Sequence, residues 1–406
     1  MKRIRLGLIG CGVVGGALLE LLDARAPDLA DRFGLSFEVT RMCVRDLSRD
    51  RGPFAAHIPK TTDPADLGDV DILVEVAGGL ALGDALCAAL AKGTPVVSAN
   101  KALIAARLGD LLGAASQNET PFACEAAAAG AIPVLRNLGR RVEAPESLTG
   151  IVNGTCNWLL TRMEQDEEPL SVCLPRAQAL GLAEADPSAD IDGHDAAAKL
   201  SILAYRAFGA RSTDFPVEGI RHLSPIECDL AGAMGFRIRH LARAAVTPEG
   251  LHLSVGPVCL PTWHLLAGVE EEYNAVYAEF ENAGDLALFG KGAGGPPTAT
   301  AVLGDLVDVA TNRQVGWPRP RPIQVVAAPA SRWLLRVTHE RHPDLPARLE
   351  SQVRKAGLVV QSRASVLGED RHLGLLTSET ESVRGLVERL EGLSRVRSVV
   401  ALPVLQ

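Results

Sequence analysis

No Cys-x-x-Cys pair occurs among the eight cysteines of this 406-residue chain (Cys11, Cys43, Cys87, Cys124, Cys156, Cys173, Cys228 and Cys259), so neither a zinc site nor a disulfide framework is indicated. They read as buried thiols in a reducing compartment, and the expected location is cytoplasmic. A basic block is missing too. With a net charge of -8, no helix-turn-helix and no basic face, the sequence argues against a nucleic-acid partner and against attraction to an acidic membrane. Nor is there an uninterrupted apolar run of about 18 residues, which excludes a spanning helix. The N-terminal "MKRIRLGLIGCGVVGGALLELL" imitates a secretory signal, and its "LIGC" a lipoprotein cleavage box. Glycines at 7, 10, 12, 15 and 16 would break the apolar helix that a signal needs. What is present is 47% hydrophobic residues, enough core for two or three domains that act on a small molecule.

Strand-like "RIRLGLIG", "FEVTRMCV", "VDILVEVAG" and "TPVVSAN" alternate with helical patterns such as "LGDALCAALAKG" and "KALIAARLGDLLGAASQ". That alternation predicts an α/β fold with a doubly wound, Rossmann-type parallel sheet over 1–132, completed by a returning helix at 295–315. Residues 133–294 mix long helical patterns, notably "DAAAKLSILAYRAFG", with "SLTGIVNGT" and "LHLSVGPVCL", and read as a second, α+β domain, to which the family resemblance given below assigns catalysis and dimerisation. The proline-rich "GWPRPRPIQ" marks 316–330 as a linker. Residues 331–406 then read strand, helix, strand, strand, helix, strand, a ferredoxin-like βαββαβ module.

Gly10-Cys11-Gly12-Val13-Val14-Gly15 fills G-x-G-x-x-G between a strand and a helix. Its glycines serve a tight turn, close approach to a pyrophosphate and close helix packing, with the phosphate facing the helix N-terminus. The end of the second strand chooses the dinucleotide. Arg45 there favours NADP(H), because a guanidinium pairs a 2'-phosphate bidentately, while the adjacent Asp46 keeps NAD(H) open through the ribose hydroxyl. Asn100 and Lys101 follow the fourth strand, at the sheet edge where ligands bind in open α/β folds. The glycine-rich "FGKGAGGPPT" fails the phosphate-loop pattern: five residues separate Gly284 from Gly290, and Gly292 stands where Ser or Thr would bind magnesium.

"GLAEADPSADIDGHDAAAKL" (181–200) crowds Glu184, Asp186, Asp190, Asp192 and Asp195 ahead of Lys199. An EF-hand register puts Lys199 where a bidentate glutamate is required, so calcium is rejected. A solvated loop and a simple i, i+4 helix pair between Asp195 and Lys199 both remain open. The catalytic reading is that hydride transfer from an alcohol needs an acceptor for the hydroxyl proton, which a partly desolvated lysine supplies. Neighbouring carboxylates would raise the lysine pKa again, so their use would be to bind the ammonium of an amino-acid alcohol. Within "NGTCN", Asn153, Gly154 and Thr155 are read as shaping a substrate pocket, and Cys156 is not needed as a nucleophile.

In order, "GLIGCGVVGGALLELL", "VVSANKALIA", "CEAAAAGAIPVL", "GIVNGTCNWLL", "AQALGLAEADPSADIDGHDAAAKL", "EGIRHLS" and "GKGAGGPPTATAVLGDL" resemble homoserine dehydrogenases over essentially the whole chain. The resemblance implies interconversion of L-homoserine and L-aspartate 4-semialdehyde in threonine, methionine and isoleucine biosynthesis, in a homodimer or homotetramer. It implies Lys199 as proton donor and acceptor, Lys101 as a second lysine between cofactor and substrate, and Glu184 and Asp195 as substrate-binding acids. Gly181 and Gly294 match backbone positions near the nicotinamide. Glu125 and the carbonyls of Ala128, Gly130 and Ile132 match a monovalent-cation site for sodium or potassium. The last module resembles an ACT domain, which in the family often carries threonine feedback. Its first turn, "THERHPDLPAR", lacks the glycine whose backbone would approach an amino acid, so a threonine effector and a purely assembling role both stay open. Another amino-acid dehydrogenase on the same scaffold, or a non-catalytic nucleotide sensor, would share the cofactor features.

Overall fold

The apolar run at the N-terminus forms β1 (Lys2–Ile9), buried on both faces from Leu6 onward, as a central strand of a parallel sheet must be. In the computed structural model, which describes residues 1–367 and 371–405, the chain continues through α1 (Val13–Ala24), α2 (Ala26–Phe33), β2 (Leu35–Cys43), β3 (Lys60–Thr61) and β4 (Ile72–Glu75). It then forms α3 (Gly83–Ala91), β5 (Val96–Ser98), α4 (Lys101–Gln117) and β6 (Phe122–Ala123). The sheet order is β3-β2-β1-β4-β5-β6, with every pair parallel. This is the doubly wound arrangement expected. Strand order reverses between β1 and β4, whose register pairs Ile9 with Glu75, and the crevice beyond their carboxyl ends is where such sheets take ligands.

Two short helices, α5 (Ala126–Ala129) and α6 (Val134–Gly139), precede β7 (Ser147–Ile151), α7 (Gly154–Gln165), α8 (Leu170–Ala179), α9 (Ser188–Ile191) and α10 (His194–Phe208). After α11 (Pro225–Ala233) come β8 (Phe236–Thr247) and β9 (Gly250–Pro261), antiparallel along their whole length from Phe236↔Pro261 to Thr247↔Gly250. β10 (Tyr273–Phe280), β11 (Gly284–Lys291) and α12 (Gly295–Ala310) follow. α12 packs on α1: Val302 and Leu306 share one core cluster with Leu6, Leu8 and Leu18. Asn312, at φ 53, turns the chain after it.

The proline-rich stretch is fastened where it begins. Trp317 stacks on Phe122 and its Nε1 donates to the Phe122 carbonyl at 2.9 Å, while the Tyr205 hydroxyl donates to Pro318 O at 3.1 Å. Further on, β12 (Val325–Val326) runs parallel to β9, which makes that sheet mixed.

The C-terminal elements are β13 (Trp333–His339), α13 (Leu345–Lys355), β14 (Val360–Leu367), β15 (Arg371–Thr377), α14 (Arg384–Glu391) and β16 (Val396–Pro403). Their antiparallel sheet, β14-β15-β13-β16, is the ferredoxin-like arrangement read from the pattern. Alternation along β13 serves two cores. Leu335 and Val337 meet Leu345, Leu349, Leu386 and Leu390 of α13 and α14, while Leu334 joins Leu159, Cys228 and Ala231 of α7 and α11. A Cβ on Gly374 would lie 2.6 Å from Met234 Cε, so a larger residue here would require the Met234 side chain at the end of α11 to move.

Contacts divide these elements into two units: Met1–Leu148, Ala197–Asp214 and Asn274–Ile323 form one, and Thr149–Ala196, Phe215–Tyr273 and Gln324–Gln406 the other. The division falls inside β7 and inside α10. All eight cysteines are free thiols, six of them buried.

One ion pair ties the C-terminal sheet to α11. Arg336 Nε donates at 2.6 Å to Glu227 Oε1, and Glu227, wholly buried, closes a capping box by accepting from Ser224 N and Oγ. Removing one partner strands the other charge. Arg336→Met should therefore cost about 3–5 kcal/mol, and adding Glu227→Gln should return much of it. Urea unfolding of the single and double variants checks this; an Arg336→Met loss under about 1 kcal/mol would refute it.

Candidate active site

The glycine turn after β1 has a different task at each position. Gly10 adopts φ 93, and a Cβ there would lie 2.7 Å from the backbone of Ala77. On Gly15 a Cβ would meet Gly10 O at 2.5 Å, so α1 sits against the turn only because Gly15 lacks one. Gly12 is the opposite case: it caps α1, and nothing lies within 4 Å of a Cβ built on it. The space beside Gly12, at the mouth of a helix with Val13 and Val14 in its first turn, is a cradle that fits a pyrophosphate.

Beside it, Glu75 closes β4 with no solvent exposure. Its Oε1 accepts from Ala77 N (2.9 Å), Gly78 N (3.2 Å) and Asn100 Nδ2 (3.3 Å), and its Oε2 from Ser98 Oγ (2.6 Å). Asn100 in turn caps α4 by accepting from Leu103 N, which sets Lys101 as the first residue of that helix at the carboxyl edge of β5. Past β2, Arg45 and Asp46 are both exposed. Asp46 Oδ1 accepts from Ser48 N and Oγ, bonds that hold its carboxyl below the ordinary range. Arg51 donates to Asp46 O and Arg49 O, so this loop gathers three arginines.

Glu125 lies buried between α5 and α6, its two oxygens accepting from Leu135 N (2.7 Å) and Arg136 N (2.8 Å), and its own N–H donates to Asp305 of α12. Burial pushes both carboxyls up, Asp305 to about 8, where the charge of Glu125 adds to the effect. The following turn is tight: Gly130 has φ 57 and a Cβ there would strike Gly292 at 2.4 Å. Gly294, at φ 108, caps α12. Arg206 holds the far end of α10, donating to Leu135 O (2.7 Å) and Gly316 O (2.7 Å).

In the other unit the acidic block separates into individual roles. Asn153 caps α7 by accepting from Cys156 N at 2.7 Å and gives its two amide protons to Asp190 Oδ1 and Asp195 Oδ2, both at 2.8 Å. Thr155 Oγ1 donates to Leu182 O, next to Gly181, whose φ of 74 ends the turn after α8. Gln178 Nε2 donates to Glu184 O and fixes its backbone, leaving the Glu184 side chain exposed. Asp186 accepts from Ser188 N ahead of α9, and Asp192 pairs bidentately with Arg221 at 2.8 and 2.7 Å. Asp195 and Lys199, each 6% exposed, stand one turn apart on α10. Among the described residues no group of three or more His, Cys, Asp or Glu is placed to hold a metal. Cys156 is buried, its Sγ donating to Asp190 O at 3.2 Å.

Residues 10–125 match the family model described as the NAD binding domain of homoserine dehydrogenase, and 132–307 match its homoserine dehydrogenase model. The homoserine dehydrogenase of Mycobacterium leprae is 40% identical over 81% of this chain and 77% of its own length. That of Pseudomonas aeruginosa is 35% identical over 89% and 88%. The chain belongs to the homoserine dehydrogenase family. A solved homoserine dehydrogenase from Thiobacillus denitrificans superposes with a TM-score of 0.91 at 33% identity, covering 100% of this chain and 99% of that one. One from Staphylococcus aureus gives 0.80 at 28% identity over 100% and 99%.

The enzyme is accordingly an NAD(P)-dependent oxidoreductase acting on a CH–OH group, interconverting L-homoserine and L-aspartate 4-semialdehyde in amino-acid biosynthesis. This membership sets aside the nucleotide-sensor and other-dehydrogenase readings. No helix among the described residues is long and apolar enough to cross a membrane. Sequence reasoning overlooked Glu75, Arg206, Arg49 and Arg51. An acid inside apolar "ILVEVAG" was the available signal for Glu75, since a buried carboxylate demands donors.

The two glycines give separable outcomes. Gly15→Ala should lower both thermal stability and cofactor affinity, because its Cβ collides with backbone; Gly12→Ala should keep the melting temperature and weaken NADPH binding by about tenfold or more. Melting curves beside fluorescence titration decide this, and equal melting losses would refute it.

Proposed function

We propose that Lys199 exchanges the proton with the substrate oxygen while Asp195, oriented by Asn153, and Glu184 bind the amino-acid end of homoserine. The observation carrying this reading is Asn153: both amide protons go to Asp190 and Asp195, so Asp195 is held at a fixed rotamer one helical turn before buried Lys199. Asn153 is thus a positioning residue. Thr155, bonded to Leu182 O, and Gly154 set the course of the same helix start. The nicotinamide, when bound, gives or takes the hydride at the carbon bearing the substrate oxygen. In the oxidising direction Lys199 Nζ accepts the hydroxyl proton; in the reducing direction the same ammonium donates it to the nascent alkoxide. Lys101, placed by the Asn100 cap at the carboxyl edge of β5, supplies a second cation for the substrate oxygen or carboxylate.

NADP(H) is the favoured cofactor. Arg45 is joined by Arg49 and Arg51 in one exposed loop, whereas one oxygen of Asp46 is occupied by Ser48. Gly181 and Gly294 present backbone near the nicotinamide end, each at positive φ. A monovalent cation at Glu125 with the carbonyls of Ala128, Gly130 and Ile132 suits a buried carboxylate that accepts from backbone N–H groups and has no ion pair among the described residues. Such a cation would neutralise it without taking part in proton or hydride movement. The domain scheme read from the sequence, an ACT-like identity for the last module, and a homodimer or homotetramer complete the proposal, with a threonine effector and a purely assembling role of that module both open.

Two variants test it. Lys199→Ala should lower kcat by about 100-fold or more with little change in NADPH affinity, and full turnover would remove Lys199 from the proton step. Arg45→Ala should raise KM for NADPH by about tenfold while leaving NADH almost untouched; an unchanged NADPH/NADH ratio would overturn the assignment.

A further inference from the structure

His240 stands on β8 at 2% exposure, and its Nε2 lies 2.9 Å from the Glu218 carbonyl oxygen. A carbonyl only accepts, so the ring proton sits on Nε2 and Nδ1 is left as a bare acceptor. Nδ1 is buried and has no hydrogen-bond partner among the described residues. Burial pushes the imidazole below its ordinary range, against the pull of the Glu218 carbonyl and the Asp195 charge, and keeps it neutral at pH 7. An apolar side chain would fill this volume without stranding a nitrogen. Packing therefore does not account for a histidine here, whereas the bond to Glu218 does.

The segment around Glu218 is pressed onto the acidic block. Ile220 N donates to Ile191 O at 2.8 Å, and a Cβ on Gly219 would overlap that oxygen and the Cα of Asp192. On Gly193 a Cβ would meet Val217 Cγ1 at 3.0 Å, Glu218 O at 3.1 Å and His240 Nε2 at 3.4 Å. Gly193, at φ 88, is the residue from which α10 departs, and Asp195 is the second residue of that helix. The seat of residues 217–220 thus decides where α10 begins.

Three holds set that seat. Glu218 N donates to Val255 O at 2.9 Å and Val255 N to Pro216 O at 3.0 Å, which pairs Val217 with β9. Arg221 grips Asp192 from the solvent side. From within the sheet, His240 grips Glu218 O. This inner donor is neutral, and its neutrality suits the place: a lysine or arginine at 240 would set a fixed cation near Asp195, in competition with the ammonium of an amino-acid substrate.

We propose, on the reading that Asp195 binds the amino-acid end of homoserine, that His240 is a positioning residue for that acid: its bond to Glu218 O seats residues 217–220 against Gly193 and so fixes the first turn of α10. Initial-rate kinetics of the full chain with homoserine and NADP+ test it. His240→Leu removes the bond, His240→Asn places an amide where Nδ1 stands and falls short of Glu218, and His240→Gln places one where Nε2 stands. The Leu and Asn variants should each raise KM for homoserine about tenfold, with kcat and KM for NADP+ within about twofold, and the Gln variant should return KM to within about threefold of the parent. His240→Asn keeps the test meaningful if His240→Leu fails to fold. In an Asp195→Asn background, which itself raises KM, His240→Leu should add little. The proposal is overturned if the Leu and Asn variants keep the parental KM for homoserine, whatever their melting temperatures, if KM for NADP+ rises equally, or if the Gln variant behaves as the Leu variant does. A parental KM in Asp195→Asn would overturn the assignment of Asp195 as well; a raised KM there, beside unchanged Leu and Asn variants, overturns the role of His240 alone.

Discussion

Glu75 has no access to water, and each of its oxygens is taken: two backbone N–H groups and the Asn100 amide on one side, the Ser98 hydroxyl on the other. A buried charge that lacks such donors costs more than packing around it returns, so the groups that satisfy it are constrained in position. Much of the geometry follows from this. Through Glu75 the loop after β4, the end of β5 and the cap of α4 are fixed together, and Lys101 is delivered by that cap. Glu125 does the same for the start of α6 and for Asp305, and Arg206 collects the carbonyls at Leu135 and Gly316. Gly139 belongs to this arrangement, because a Cβ there would overlap the Arg206 guanidinium.

The acidic block obeys the same constraint by division of labour. Five carboxylates in one loop would repel one another if all faced a single point. Asp192 is drawn off by Arg221, Asp186 by the backbone of Ser188, and Asp190 shares the Asn153 amide with Asp195. These bonds tie Asp186, Asp190 and Asp192 into the loop's own structure.

At the far end of the chain, β13 shows how a module read as separate becomes continuous with its neighbour. Its alternating leucines face two different cores, one internal to the module and one shared with α7 and α11, and Arg336 between them reaches Glu227. One face of the sheet therefore depends on α11.

Period and punctuation made much of this legible beforehand. The apolar strands, the glycine turn and the βαββαβ order are local signals, and β1, α1 and the six C-terminal elements lie where those signals put them. Lys199, Asp195 and Asn153 were nameable because their spacing and family motif are written in contiguous segments. What the residues alone determined was the set of elements and the chemistry available to them. Which carboxylate meets Asn153, which is lost to Arg221, and why Glu75 or Glu227 must be an acid at all were decided only by tertiary structure. The physical reason is that satisfying a buried charge takes donors from residues such as Asn100 or Arg336, far apart in the chain, and no local pattern records those pairings.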